Sequence, residues 1–178
     1  MPKRIIGEEM SRKNQQTIVK IVFLGCMLIA SSSCTTNIIK SEYKTTTNGS
    51  WEKDDIITFN FSDVDTINPS DIFINIRNDE KFQFSNLYLI TELNFPNGRS
   101  EKDTLQYKMA EPDGTWLGTG NGSVKENKLW YKENIVFPTN GVYTLKISHA
   151  MRKNGNVNGI VDLEGITDVG YQIEKNNK

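Results

Sequence analysis

The sequence is poor in the residue types that metal sites and nucleophilic catalysis use most often. It has two cysteines, Cys26 and Cys34, and a single histidine, His149. The chain beyond Cys34 therefore folds without a disulfide and without a thiolate metal site. A zinc site built on histidines needs more nitrogen ligands than the chain has. No metal and no cofactor is predicted.

Signatures of an enzyme are also missing. A Ser-His-Asp arrangement has to use His149, and no serine lies in a strand-to-helix elbow. His149 falls on the apolar face of a predicted strand, so we expect it to be hydrogen-bonded at the edge of the core. Paired carboxylates of a glycoside hydrolase cannot be recognised from spacing alone. The sequence predicts no catalytic residue, and a small hydrolase is the weakest hypothesis.

Two loops resemble ligand-binding motifs without completing them. The glycines of residues 118–122 are followed by no helix and by no Gly-Lys-Ser/Thr, which a phosphate loop requires. Residues 154–159 have the oxygen spacing of a calcium loop, but its twelfth position is Gly165, where a bidentate glutamate is needed. We expect both segments to be polar turns.

The chain has no apolar run long enough to cross a bilayer. The longest, Ile21 to Ala30, has about ten residues, whereas a membrane-spanning helix needs about 20. Basic residues precede the run, and Ser31-Ser32-Ser33 follow it. This is the order of an export signal, so residues 1–33 are predicted to be removed.

A cysteine at the cleavage point indicates a lipoprotein, because its thiol is alkylated by a diacylglyceryl group before the peptidase cuts. Cys34 stands there, although Ser31 occupies the upstream position that is usually leucine. The alternative is Cys26, but cleavage before it would leave the apolar Met27-Leu28-Ile29 on the mature chain. We therefore predict lipid attachment at Cys34.

The mature chain is acidic. Removal of residues 1–33 takes away five basic and two acidic side chains, so the formal net charge moves from −1 to −4. An acidic domain is a poor binder of polyanions, and nucleic acid is not an expected partner. The remaining 145 residues are enough for one domain with its own core.

The mature chain divides into residues 34–50, predicted to be a lipidated tether, and residues 51–178, predicted to be one folded domain. The tether is rich in Thr, Asn, Ser and Lys. Beyond it, runs with period two alternate with turn sequences, in the ranges 57–61, 72–76, 87–93, 104–109, 129–137, 142–148 and 166–173. Seven or eight antiparallel strands without a substantial helix favour an all-β sandwich, with an up-and-down barrel as the alternative.

The three tryptophans lie in different sequence contexts, which predict different roles. Trp130 alternates within a strand run, which predicts burial in the core. Trp116 lies between the Asp113-Gly114 turn and a glycine-rich loop, so it is the candidate for contact with a ligand or a partner. Trp51 completes a possible stacking platform for sugars.

Several ordered motifs resemble one known family. They are Phe95-Pro96-Asn97-Gly98, Asp113-Gly114-Thr115-Trp116-Leu117-Gly118, Lys125-Glu126-Asn127-Lys128-Leu129-Trp130-Tyr131, His149-Ala150-Met151-Arg152 and Gly165-Ile166-Thr167-Asp168-Val169-Gly170. Together with the cysteine at residue 34 they are similar to the gliding motility lipoprotein family GldH. The resemblance implies an envelope lipoprotein of Bacteroidetes, in a set of proteins needed for gliding and linked to type IX secretion. It supplies no catalytic residue.

The primary hypothesis is a non-enzymatic accessory or structural component, anchored to a membrane through Cys34 and binding other envelope proteins of the gliding and secretion apparatus. The rival hypothesis is a glycan-binding module that uses Trp116. Residues 35–39 lack the acidic cluster that marks surface-exported lipoproteins in this phylum. We therefore expect the domain to face the periplasm.

Overall fold

Strands joined by turns and loops make up the described part of the chain. A computed structural model describes residues 37–153, 155 and 157–176. The strands in these ranges are β1 (Ile38–Thr45), β2 (Ser50–Glu52), β3 (Ile57–Phe61), β4 (Ser70–Asn78), β5 (Asn86–Asn94), β6 (Ser100–Lys108), β7 (Lys125–Ile135), β8 (Tyr143–His149), β9 (Asp162–Glu164) and β10 (Ile166–Lys175). Over the same ranges, no helix has the length and apolar character needed to span a membrane.

The strands form two four-stranded antiparallel sheets and one small pair. Sheet I has the order β1-β10-β4-β7, and sheet II has the order β3-β8-β5-β6. Strands β2 and β9 pair only with each other. The predicted all-β sandwich is confirmed. The alternative of one closed barrel is wrong, because the strands divide between separate sheets.

The two large sheets share one apolar core. Each strand turns every second side chain inward, and in β4 this inward row is Ile72, Ile74 and Ile76, none of which is exposed. Rings from the two sheets meet in the centre. The ring centroid of Tyr171 in β10 lies 5.1 Å from that of Phe59 in β3. These contacts hold sheet I against sheet II.

Every strand predicted beyond Trp51 is present; the strand over residues 57–61 has the predicted bounds, and the bounds of the others shift. The run predicted from residue 129 begins at Lys125, four residues earlier. Strands β2 and β9 were not predicted, since three residues are too few to display a period of two.

The predicted tether over residues 34–50 is wrong from residue 38 onward. Residues Ile38–Thr45 form β1, which pairs with β10 from Ile38 to Thr45 as the edge strand of sheet I. An edge strand is open to solvent along its unpaired side. Here the register puts Lys40, Glu42 and Lys44 on the same side of sheet I as the inward isoleucines of β4, so β1 shows no apolar period. Cys34 and the export signal lie outside the described residues. Only residues 35–37 separate Cys34 from the first strand.

The connections between strands gather at two ends of the sandwich, because all neighbouring strands are antiparallel. The proximal end holds residues 37 and 176 and the connections 62–69, 95–99 and 136–142. The distal end holds residues 46–56, 79–85, 109–124 and 150–165, which include β2 and β9.

One distal turn depends on a glycine. Gly165 has φ +83°, and a Cβ there would lie 2.0 Å from the backbone nitrogen of Phe82. The backbone N–H of Asp79 donates to the Gly165 carbonyl at 2.9 Å. The connection over residues 79–85 therefore packs directly on the Gly165 backbone, in a conformation that only glycine adopts without strain.

Candidate functional site

The outward face of sheet I is more buried than a solvent-facing sheet surface normally is. In β4 the residues between the inward isoleucines point outward, and Phe73 and Asn75 are nevertheless almost fully covered. Side chains from β1, β7 and β10 cover them. We call this surface, formed by Tyr43, Phe73 and Trp130 with their polar neighbours, the aromatic face.

Tyr43 fastens all four strands of sheet I together. It lies opposite Gly170 in the neighbouring strand, where a Cβ would come within 2.7 Å of the Tyr43 ring. The missing side chain lets the ring lie across β10. The guanidinium carbon of Arg77 in β4 sits 4.2 Å from the ring centroid, a cation–π contact.

Glu126 of β7 completes this arrangement. The Tyr43 hydroxyl donates to one carboxylate oxygen at 3.1 Å, and Arg77 Nε donates to the other at 2.9 Å. Burial, and then the Glu126 carboxylate, raise the pKa of Tyr43 to about 12. The hydroxyl therefore remains a protonated donor at any physiological pH.

Trp130 is the exposed centre of the aromatic face. It lies directly opposite Phe73 in the register of β7 with β4, and the two ring centroids are 4.4 Å apart. Phe73 is only 4% exposed, whereas Trp130 is 52% exposed. Phe73 thus supports the indole from behind, and the opposite side of the indole faces solvent.

The polar side chains beside Trp130 are paired with one another. The ammonium of Lys128 lies 4.0 Å from the Phe73 ring centroid and 2.7 Å from a Glu174 carboxylate oxygen. The Asn75 amide donates to the Gln172 carbonyl at 3.2 Å, and the Gln172 amide donates to Glu174. A flat aromatic ring fixed by such a network is preorganised for contact.

Two tryptophans do not lie where the sequence predicts. Trp130, expected in the core, points outward because Leu129 takes the inward position before it. Trp116, the predicted ligand or partner contact, is half-buried and packs against the core, with its ring centroid 5.9 Å from that of Phe82. Trp51 is fully buried, and its indole N–H donates to the Asp55 carbonyl at 2.9 Å. The structure does not bring the three tryptophans together as a platform.

His149 is buried at the distal end of β8, as the sequence predicts. It is 3% exposed, and its ring meets Trp51 edge-on with 5.4 Å between centroids. Burial lowers the pKa of His149. The described residues contain no group of three or more His, Cys, Asp or Glu side chains that could hold a metal ion. Asn154 and Asn156 of the calcium-like loop lie outside those residues.

A cluster of charges joins the two sheets at their β6 and β7 edges. The ammonium of Lys132 lies 3.0 Å from a carboxylate oxygen of Glu101 and 2.8 Å from one of Asp103. The single ammonium pairs with both carboxylates and compensates one of their two negative charges. The arrangement is that of a brace between sheets.

Comparison with known proteins identifies the family. A family model described as GldH lipoprotein matches residues 38–173. The chain belongs to the GldH lipoprotein family. The match begins at β1 and ends within β10, so it covers the sandwich, including β1, which lies in the range predicted as the tether.

Two relatives align along nearly their whole length. The Gliding motility lipoprotein GldH homolog of Christiangramia forsetii is 49% identical over 150 residues, which are 84% of this chain and 91% of that protein. The Gliding motility lipoprotein GldH of Flavobacterium johnsoniae is 40% identical over 154 residues, 85% of this chain and 95% of that protein. A crystal structure of the VP2 subviral particle of infectious bursal disease virus aligns with 16% identity, a TM-score of 0.35, and coverage of 78% of this chain and 34% of that one. So weak a likeness has no bearing on function.

The exposed tryptophan was missed although the sequence contained its signal. In residues 72–77 three isoleucines alternate with Phe73, Asn75 and Arg77. Since Asn75 and Arg77 belong outside, Phe73 belongs outside with them, and it needs an aromatic or apolar cover. Its cross-strand partner Trp130 provides that cover, and only the strand register reveals the pairing.

Proposed function

We propose that this protein is a non-enzymatic component of the envelope machinery for gliding motility and type IX secretion, and that it binds another envelope protein through its aromatic face. Both relatives described above carry gliding motility in their names. The proposed role is to hold a binding surface at a fixed place on a membrane. No reaction is part of it.

The observation that carries this proposal is the exposed indole of Trp130. The rear of this indole is supported by Phe73, and beside it Lys128 pairs with Glu174 and the Asn75 amide donates to Gln172. Rigid, half-exposed tryptophans surrounded by satisfied polar groups are typical centres of protein interfaces. A partner that covers Trp130 would bury apolar area and leave the surrounding hydrogen bonds in place.

The second part of the proposal is the anchor at Cys34. Export would remove residues 1–33, and lipids on Cys34 would hold the domain to a membrane with the sandwich facing the periplasm. Two or three acyl chains make such an anchor stable where one chain is marginal, because each buried methylene contributes about 0.8 kcal/mol. Mass spectrometry of the mature N-terminus tests this part, and an unmodified Cys34 would refute it.

The partner is tested by affinity purification of the tagged, lipidated protein from native membranes. We compare Trp130→Ala with Gln106→Ala, an exposed residue on the outward side of sheet II. The proposal expects the same envelope protein to co-purify with the unaltered chain and with Gln106→Ala, and to be lost with Trp130→Ala. Equal recovery with all three would contradict it.

Glycan binding is a second candidate, because the flat open side of Trp130 is also suited to stacking against a sugar ring. The sequence points to Trp116 as the sugar contact, but Trp116 is half-buried against the core, so the exposed Trp130 is the better candidate. A glycan array probed with the unlipidated protein separates the two candidates. Sugar binding that is abolished by Trp130→Ala would support the glycan module over the protein interface.

A further inference from the structure

Several proximal connections expose apolar side chains beyond the ends of the strands. Ile67 in the connection 62–69 is 83% exposed, and Val142 in the connection 136–142 is 60% exposed. Val136, in the same connection as Val142, and Ile38, at the start of β1, are also exposed. These residues lie on three separate segments, so they form a set of apolar tips at one end of the domain.

The tip at Ile67 is held in place by hydrogen bonds. One carboxylate oxygen of Asp65 accepts the backbone N–H of Ile67 at 2.9 Å and that of Asn68 at 2.8 Å, and the other accepts the Asn68 side-chain amide at 2.9 Å. These bonds lower the pKa of Asp65 to about 2, so the carboxylate is ionised and accepts them at neutral pH. The loop is therefore shaped to present an isoleucine to its surroundings.

The strand register places these tips on the side from which the chain enters. Ile38 pairs with Glu174, Lys175 pairs with Ser70, and Ser70 pairs with Ile135, so the ends of four strands lie at one level. The backbone N–H of Lys175 also donates to the carbonyl of residue 37 at 2.9 Å. The connections 62–69 and 136–142 extend beyond that level.

The short link to Cys34 limits how far this end can be from a bilayer. Four residues, even fully extended, cover at most about 14 Å, so Ile38 stays within that distance of a lipid-bearing Cys34. Because the headgroup zone itself is several ångströms deep, tips beyond the level of Ile38 reach it without strain in the link. Because the link is short and joins the domain at this end, the membrane is the surface that these tips contact.

The charge distribution favours the same orientation. Among the segments at the distal end there are nine acidic and four basic side chains, whereas the proximal connections have two acidic residues, Asp63 and Asp65, and one basic residue, Arg99. The distal end also exposes apolar residues such as Val157, but an anionic lipid surface would repel it more strongly. Both ends are net acidic, and the proximal end is the one that an anionic lipid surface repels less.

We propose that the proximal end of the domain rests on the membrane, with Ile67 and Val142 inserted into the lipid interface. This inference rests on the proposed anchor at Cys34. It adds to that anchor an orientation: the strands rise from the bilayer, the aromatic face stands to the side, and the distal end points away. Apolar area buried at an interface strengthens attachment and fixes the angle of the domain.

Single cysteines test the orientation, because acylation consumes the thiol of Cys34 and no other cysteine remains in the mature chain. The lipidated protein carrying Ile67→Cys or Val142→Cys is labelled with an environment-sensitive fluorophore. It is reconstituted in vesicles of phosphatidylethanolamine and phosphatidylglycerol that contain a lipid-attached quencher. Val157→Cys, 86% exposed at the distal end, is the matched control.

The proposal expects blue-shifted, several-fold quenched fluorescence at residues 67 and 142 and solvent-like fluorescence at residue 157. It also expects Ile67→Asp to weaken the quenching at residue 142, since both tips insert together. Protein that floats with the vesicles while all three labels remain solvent-like would overturn the orientation and leave the anchor intact. Protein that does not float would refute the anchor itself, and the orientation with it.

Discussion

Replacing each tryptophan by alanine should produce an order of destabilisation set by burial. Trp51→Ala should cost the most, Trp116→Ala should be intermediate, and Trp130→Ala should cost the least. Trp51 has no exposed surface and donates a hydrogen bond from its indole. Truncating an enclosed aromatic typically costs about 3–5 kcal/mol.

The cost at Trp130 can be worked out from its exposure. An enclosed aromatic buries about 150–250 Å². Because Trp130 is 52% exposed, its truncation removes only about half of that buried area, about 100 Å². At about 25 cal/mol per Å² this amounts to roughly 2.5 kcal/mol. A compact unfolded chain reduces the figure to about 2 kcal/mol.

The assay is urea unfolding of the mature chain, kept soluble by Cys34→Ser and followed by circular dichroism. The free energies of unfolding are compared with the same slope of free energy against urea concentration for all variants. A loss at Trp130→Ala equal to that at Trp51→Ala would refute the reasoning, because the aromatic face would then be part of the fold's essential packing. It would also remove the grounds for treating the face as a docking surface.

Three further changes probe the fold. Gly165→Ala should prevent folding, since a Cβ would meet the Phe82 backbone at 2.0 Å, and circular dichroism of the purified variant checks this. Lys132→Ala leaves two half-buried carboxylates without their cation, so it should lower the free energy of unfolding by about 1–2 kcal/mol in urea titrations, whereas the exposed Lys102→Ala should change it little. The stabilising effect of a neutral His149 is complete above its unfolded-state pKa of about 6.5, and it is lost as the pH falls from there towards its lowered folded-state pKa. His149→Gln should therefore make the free energy of unfolding less dependent on pH in that window.

The sandwich could be predicted from sequence because most of its strands have one face in the core. Runs such as Leu87-Leu89-Thr91-Leu93 show the period of two clearly, and each proves to be a strand. The edge strand β1 could not be found in this way, since the charged residues Lys40, Glu42 and Lys44 occupy the positions that correspond to the core side of sheet I. Its place depends on pairing with β10, where Asp168 lies opposite Thr45 from 123 positions further along the chain, and no local pattern encodes that partner.

The aromatic face was hidden for a related reason. Alternation divides the residues of a strand between two faces, but it does not say which face points to the core. In β7 the neighbours Trp130 and Tyr131 are both aromatic, so either of them fits the inward position. Large aromatics are usually buried, and that prior favoured Trp130 in the core. The pairing of Trp130 with the outward residue Phe73 shows that Trp130 points outward.

The central claim is that Trp130 is the contact point for another envelope protein, and site-specific photocrosslinking in native membranes tests it most directly. A photoreactive amino acid is placed at residue 130 of the lipidated protein and, as a control, at residue 106 on the outward side of sheet II. The account predicts a discrete crosslinked species from residue 130, containing one other envelope protein, and none from residue 106. Crosslinking from neither position, or the same adduct from both, would contradict it.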